Sequence, residues 1–226
     1  DVLAQVDDAF IAGQQELHGM NRAAMTLIAE ARAQQLYADM PPAVETSGGS
    51  GANTIAGLAS FGAKTGFIGK VADDQLGEIF AHDMQSLGVT FDTARLTGGP
   101  ATGRCLILVT PDAERTMNTF LGASVELGPE DIDAAMIGAA QITYLEGYLY
   151  DRDSAKNAYR IAGEIAHNAG RRIALTLSDP FCVDRQRHDF LNLAEGHVDI
   201  LFANEDEIKS LYQQSDFGNA VNAVRE

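Results

Sequence analysis

Tryptophan is absent from this 226-residue chain, and cysteine occurs only as Cys105 and Cys182. The two thiols lack C-x-x-C spacing and sit in apolar segments. They read as buried free thiols of a cytosolic protein rather than as a disulfide. His18, His82, His167, His188 and His197 are scattered without ligand spacing, so no zinc site is expected. Positive charge is scarce as well: 16 Lys and Arg stand against 32 Asp and Glu, a formal net charge of −16. Such a field repels phosphate backbones, and no nucleic-acid partner is expected. A site for an anionic ligand therefore needs its own local gathering of Arg, Lys or helix N-termini. No apolar run approaches the roughly 20 residues of a membrane span, which argues against a membrane partner. No basic-then-apolar leader is visible at Asp1, and a cytoplasmic location is the expectation. What remains, 46% hydrophobic residues at a mean hydropathy of −0.09, describes a globular α/β-sized chain.

The most informative stretch is Ser47 to Gly62, SGGSGANTIAGLASFG. Gly48, Gly49 and Gly51 remove side chains and open positive φ, so a ligand can approach main-chain N–H groups. Asn53 follows at a helix N-terminus, where its amide can cap or reach a polar group. Ile55, Leu58, Ala59 and Phe61 supply an apolar stripe. Two phosphate motifs are missing. Lys64-Thr65 follows Ala63 and enters an apparent strand, so there is no Walker A loop. Gly49-Ser50-Gly51 is followed by Ala52, Asn53 and Thr54, which breaks G-x-G-x-x-G at its last position.

Along the chain, Asp1 to Ile11 alternates as a strand that ends near Asp7-Asp8, and short strand-like pieces occur near Met20 and from Ala24 to Ile28. Glu30 to Met40 is a helix with Ala31, Leu36 and Tyr37 inward, and Ala43 to Thr46 is a short strand. Lys64 to Val71 reads as a buried strand. Asp73 to Leu87 reads as a helix presenting Leu76, Ile79, Phe80 and Met84, closed by Gly88. Thr102 to Thr110 and Arg115 to Leu121 form a hairpin around Pro111-Asp112-Ala113-Glu114. From Gly128 onward strands alternate with helices: a helix from Pro129 to Ala139, strands at 142–145, 173–177 and 198–202, and helices at 153–169, around Phe190 and at 205–212. That rhythm implies parallel strands with helices on both faces. The stretches 12–28 and 98–121 stand outside it and look like a lid. In an open parallel sheet, ligands bind beyond the carboxyl ends of the strands. There the sequence places Glu146-Gly147-Tyr148, Ser178-Asp179-Pro180-Phe181 and Asn204 to Glu207. Asn204 and Glu207 also suit a helix cap with acids favoured by the dipole.

Gly48-Gly49-x-Gly51-x-Asn53, a small-residue helix, Gly69-Lys70-Val71, Asp73-Asp74-x-x-Gly77 and a second helix resemble the N-terminal signature of the PfkB (ribokinase-like) carbohydrate and nucleoside kinases. The likeness extends over nearly the whole chain and is closest to the adenosine-kinase branch. It implies a ribokinase-like α/β fold with a small β lid and ATP-dependent phosphorylation of a primary hydroxyl. It also implies ATP and Mg²⁺ as partners. By the same resemblance, Asp1, Gly48, Gly49 and Asn53 hold substrate hydroxyls, and Arg115 faces the transferring phosphate. Cys105, Met117 and Leu121 alternate onto faces that suit either an apolar slot for the substrate or core packing. Tyr148 and the Phe181 of LSDPF stack on a base. Asn204 and Glu207, the latter through water, place Mg²⁺ and the nucleotide phosphates. The family's D-T-x-G-A-G-D signature, which carries the general-base Asp, is not in these residues, and the chain reads as part of a longer protein. The alternatives are a ribose- or fructose-type sugar kinase and a non-catalytic nucleoside sensor. The expected state is a monomer or a homodimer.

Overall fold

The computed structural model describes residues 1–225, which fall into two compact units, Asp1–Ser124 and the residues from Val125 onward. In the first unit β1 (Val2–Gln5), β2 (Met25–Leu27), β3 (Val44–Glu45), β4 (Arg104–Val109) and β5 (Arg115–Phe120) join in the order β2-β5-β4-β1-β3. β1 runs parallel to β4, and β2 runs parallel to β5. The β4–β5 hairpin and the β1–β3 pair are antiparallel. The expected hairpin is thus present, and its two strands lie at the middle of this sheet.

Register assigns the two faces. Leu106 is opposite Val2 and Asn118, and Leu108 is opposite Ala4 and Thr116. All six side chains are buried. The four apolar ones pack with Ile11 of α1 (Asp8–His18) and with Ala33 and Leu36 of α2 (Glu30–Asp39). Burial of each large side chain here is worth about 1.5–3 kcal/mol. The two polar members are satisfied locally: Thr116 Oγ1 accepts from Ala23 N, and Asn118 Nδ2 lies 3.8 Å from Met20 Sδ. The opposite face carries Cys105, Ile107, Met117 and Thr119, joined by Met25 and Leu27 across β2 and by Leu3 across β1. Met25 and Leu27 are exposed. One face is therefore core and the other is apolar but open.

Several local expectations need correction. Helix α1 occupies residues read as strand and loop. Asp7 caps it by accepting from Phe10 N, and Gly19 at φ +65° ends it. In α2 the inward residues are Ala33 and Leu36, while Ala31 and Tyr37 are exposed. Lys64 to Val71 forms no strand. It is linked to 89–96 through isolated bridges at Gly66–Thr90 and Ala72–Leu96. Gly66 and Gly69 give nothing to pack on a pleated surface, so the ladder does not propagate. This stretch is held instead by rings: Phe67, Phe80 and Phe91 stand with centroids 5.5, 5.6 and 5.9 Å apart.

Those rings pack with α3 (Ser50–Ser60) and α4 (Gln75–Ser86). The buried line of α4 is Gly77, Ala81 and Met84, whereas Ile79 is exposed. Gly77 explains the rotation: a Cβ there would lie 2.1 Å from Ala72 O, so the helix backbone itself contacts the preceding loop. Asp74 caps α4 at Gly77 N and also accepts from Thr102 N and Oγ1. Burial alone would raise the Asp74 carboxyl, but the bonds from Thr102 and Gly77 outweigh it and hold the group below its ordinary value.

In the second unit β6 (Ile142–Glu146), β7 (Arg172–Thr176) and β8 (Ile200–Phe202) are all parallel, in the order β6-β7-β8. The helices expected between them appear as α6 (Asp153–Asn168) and α7 (Pro180–His197). α8 (Glu205–Tyr212) and α9 (Phe217–Arg225) follow. The expected helix from Pro129 to Ala139 is split into a 3-10 turn at Pro129–Asp131 and α5 (Ala134–Ala139). Asp133 takes the Ala135 and Met136 N–H groups and so starts a new helix within the predicted one. The core between α6 and α7 includes a ring cluster, with Tyr150 5.5 Å from Tyr159 and 5.0 Å from Phe190.

Candidate substrate and phosphate sites

In the first unit the Asp1 main-chain nitrogen donates to Thr46 O, and Thr46 N donates back to Asp1 O, at 2.8 and 3.0 Å. This pairing continues the β1–β3 ladder and seats the Asp1 carboxylate on the glycine loop. A Cβ built on Gly48 would lie 2.1 Å from Asp1 Oδ2, so only glycine leaves room for the acid. Gly49, at φ +99°, caps α3, and its carbonyl accepts from Asn53 N at 2.8 Å. Asn53 is thus in the helix rather than at its cap, one turn in, with an exposed side chain. The N–H groups of the first turn have no intrahelical acceptor and give this end a partial positive charge. A carboxylate acceptor and several donors therefore adjoin over a few residues. Ser47 Oγ donates to Asp83 Oδ2 at 2.5 Å and pins the loop to α4, a contact with no sequence signal.

Arg115, Met117 and Cys105 share the open sheet face, and Leu121 continues it beyond β5. Arg115 is exposed and has no carboxylate within ion-pair distance among the described residues. It follows the turn in which Asp112 accepts from Thr110 Oγ1 and Glu114 N, with Ala113 at φ +65°. Arg22 closes on Asp112 at 2.6 Å and fixes the turn to the residues before β2. Cys105 is half-buried, not buried as expected, whereas Cys182 is buried. Burial pushes the Cys105 thiol up, against a hydrogen bond with Thr119.

In the second unit the residues after β6, β7 and β8 share one neighbourhood. The Tyr148 phenol is pushed up to about 12, first by burial, then by the negative charge of Asp179, Cys182, Glu146 and Glu207. Gly147 and Ser178, which the sequence places at the strand ends without a role of their own, shape this end. A Cβ on Gly147 would lie 2.6 Å from Leu177 O, so the two strand ends touch through backbone. Ser178 has φ +70°, an unusual state for a residue with a side chain and typical of functional turns. Asp179 then caps α7 through Phe181 N at 2.7 Å. Phe181 itself is 74% exposed and Tyr148 38%.

Asn204 and Glu207 form a capping box. Asn204 Oδ1 accepts from Glu207 N, while Asn204 N and Nδ2 donate to Glu207 Oε2 and Oε1, all within 3.0 Å. Glu207 is 6% exposed. Both of its oxygens are engaged, and no cluster of three or more metal-ligating side chains occurs among the described residues. These groups do not by themselves form a direct magnesium site. Among the same residues no helix is long and apolar enough to cross a membrane.

Comparison with known proteins fits this arrangement. Residues 22–226 match the family described as pfkB family carbohydrate kinase. The crystal structure of adenosine kinase from Sinorhizobium meliloti superposes with a TM-score of 0.90 at 52% identity, covering 99% of this chain and 68% of that one. A probable sugar kinase from Rhizobium etli CFN 42 gives 0.90 at 49% identity, covering 99% and 67%. The ATP-dependent ribose-1-phosphate kinase of Halopiger xanaduensis is 30% identical over 189 residues, 80% of this chain and 60% of that protein. The chain thus spans about 60% of the length of that curated relative. The fold is ribokinase-like α/β, with parallel strand pairings predominating, and the chain belongs to the pfkB family of carbohydrate kinases.

Proposed function

We propose that the protein transfers a phosphoryl group from ATP to the primary hydroxyl of a nucleoside of the adenosine type. The observation that carries this reading is the Asp1 carboxylate lodged against Gly48 at the N-terminus of α3. Two adjacent hydroxyls need an acceptor beside donors, and this place offers Asp1 together with the Gly49 N–H and the Asn53 amide. In the first unit Cys105, Met117 and Leu121 suit an apolar wall for a sugar; in the second, Tyr148 and Phe181 offer rings on which a base stacks. The open aromatic ring of Phe181 and the 52% identity to the Sinorhizobium meliloti adenosine kinase support the nucleoside.

Phosphoryl transfer asks chiefly for positioning and charge neutralisation. Arg115, which has no carboxylate partner among the described residues, is the residue to meet charge developing on the transferred group. Asn204 at the start of α8 is the residue for the ATP phosphates; Glu205, Asp206 and Glu207 already occupy this positive helix end, so the phosphates need a counter-ion there. Glu207 would hold a phosphate-bound magnesium through water, since both of its carboxylate oxygens already accept from Asn204, and the ion would supply charge neutralisation there. Residues 12–28 and 98–121 act as the lid that keeps water from the transfer.

Turnover of ATP by the full-length enzyme on adenosine, inosine, ribose and fructose tests this reading. Adenosine gives the highest kcat/KM. The second reading, a sugar kinase, is favoured by the likeness to the ribose-1-phosphate kinase and the probable sugar kinase. It replaces the first if ribose or fructose gives the highest value. Tight nucleoside binding without turnover would instead mark a sensor.

A further inference from the structure

Helix α7 is not continuous: Gln186 has φ −126° and ψ 27°, which sets residues 180–185 off from the rest. Neither glycine nor proline lies at the bend to explain it, and kinks have identifiable causes. What lies at the bend is a side-chain clamp. Gln186 Oε1 accepts from Lys156 Nζ at 2.8 Å, and Gln186 Nε2 donates to Asp151 Oδ1 at 3.0 Å. Lys156 Nζ also donates to Asp189 Oδ2 at 2.5 Å and lies 5.9 Å from the Tyr150 ring centroid. Arg185 Nε stands 3.7 Å from the same Asp151 oxygen. One amide is thereby tied to the first turn of α6 and to the loop before it.

The part of α7 beyond the bend is anchored by Phe190 and Leu193 in the core. The part before it runs back to the Asp179 cap, buries Cys182 and Val183, and carries Phe181 on its exposed side. Phe181 is five residues from the bend, about 7 Å along a helix, so a change of about 20° there moves the ring by roughly 2–3 Å. We infer that the Asp151–Gln186–Lys156 clamp is a positioning device that sets where Phe181 stands and so tunes affinity for the base of a nucleoside. The inference rests on the reading of Phe181 as a base-stacking residue. None of the three clamp residues needs to touch the substrate.

The test uses steady-state kinetics of the full-length enzyme with Gln186→Leu, Lys156→Met, Phe181→Ala and the Gln186→Leu/Phe181→Ala double variant. Base–aromatic stacking is worth about 1–3 kcal/mol, so Phe181→Ala raises the adenosine KM about tenfold, and each clamp variant raises it about fivefold. In the clamp variants kcat and the KM for ATP stay within about twofold of wild type. The double variant shows no more than the Phe181→Ala effect, because the clamp acts only through the ring. A raised KM in Phe181→Ala with wild-type KM in both clamp variants overturns the clamp and leaves the stacking reading intact. No effect of Phe181→Ala overturns both. A fall in kcat at constant KM in the clamp variants also overturns the inference, since that marks general damage to the site. Should Gln186→Leu fail to fold, Lys156→Met, paired with Phe181→Ala, decides alone.

Discussion

At the residue scale the account rests on a few atoms around Gly48. Replacing Gly48 by Ala puts a methyl group 2.1 Å from Asp1 Oδ2, so the carboxylate must leave its seat on Gly48. Two hydrogen bonds to substrate hydroxyls are then lost, and the KM of the phosphoryl acceptor rises about tenfold or more while the KM for ATP is unchanged, as initial-rate kinetics would show. Asn53→Ala acts in the same direction by removing one donor. Arg115→Ala is different in kind. Its guanidinium is to meet charge that appears mainly during transfer, so kcat falls about 100- to 1000-fold with little change in acceptor KM. A wild-type kcat for Arg115→Ala in single-turnover experiments would remove the residue from the mechanism. The glycine cluster and Asn53 could be picked out from the sequence because absent side chains and a helix start are local features. The seat of Asp1 on Gly48 was not visible there without the family resemblance, because it depends on the β1–β3 pairing across 45 residues.

At the element scale, caps decide where helices begin and which way they face. Asp7, Asp74, Asp133, Asp179 and Asn204 each accept a main-chain N–H in the first turn of a helix. The N-x-x-E segment illustrates how one pattern serves structure first. Glu207→Ala opens the capping box, leaves Asn204 N and Nδ2 without their acceptor, and costs about 1–2 kcal/mol, measurable as a lower Tm by calorimetry. Glu207→Gln retains one acceptor and loses less. If Glu207→Ala leaves Tm unchanged, the box contributes nothing to folding. The strand–helix rhythm after Gly128 was readable because each strand is short, apolar and bounded by a helix with its own stop signal. Lys64 to Val71 misled because it has the apolar content of a strand, while its glycines prevent a ladder; what orders it is the distant Phe80–Phe91 pair. The facing of α4 was likewise hidden, since it depends on Gly77 approaching Ala72 O.

At the scale of the whole molecule, charge governs the response to pH. Burial works to raise the Asp74 carboxyl, but hydrogen bonds from Thr102 and Gly77 hold it below 3.8. The Asp199 carboxyl is held low by Ile173 N and His167. A carboxyl with a depressed folded pKa adds stability that is present above its unfolded value and lost as pH falls through the folded one. Acid unfolding therefore steepens below about pH 4, and Asp74→Asn or Asp199→Asn flattens that limb in denaturant titrations. At the alkaline end Tyr148 works the other way. Its folded value near 12 stands above the ordinary 10.0, so stability declines as pH rises from 10 towards 12. Tyr148→Phe lessens that decline without abolishing it, because burial also raises Tyr150. Composition already announced the acidic field, since 32 acids against 16 bases require a deliberate place for any anion. It could not say where the few cations stand, because that depends on the hairpin register that brings Arg115 to the open sheet face. The central claim is the grip on a diol by Asp1, the Gly49 amide and Asn53. A crystal structure of the full-length enzyme with adenosine tests it most directly. The account predicts both ribose hydroxyls within hydrogen-bond distance of the Asp1 carboxylate, with the Gly49 N–H or the Asn53 amide donating to one of them. A ribose bound away from Gly48 and Gly49, with Asp1 making no contact to it, would contradict the account.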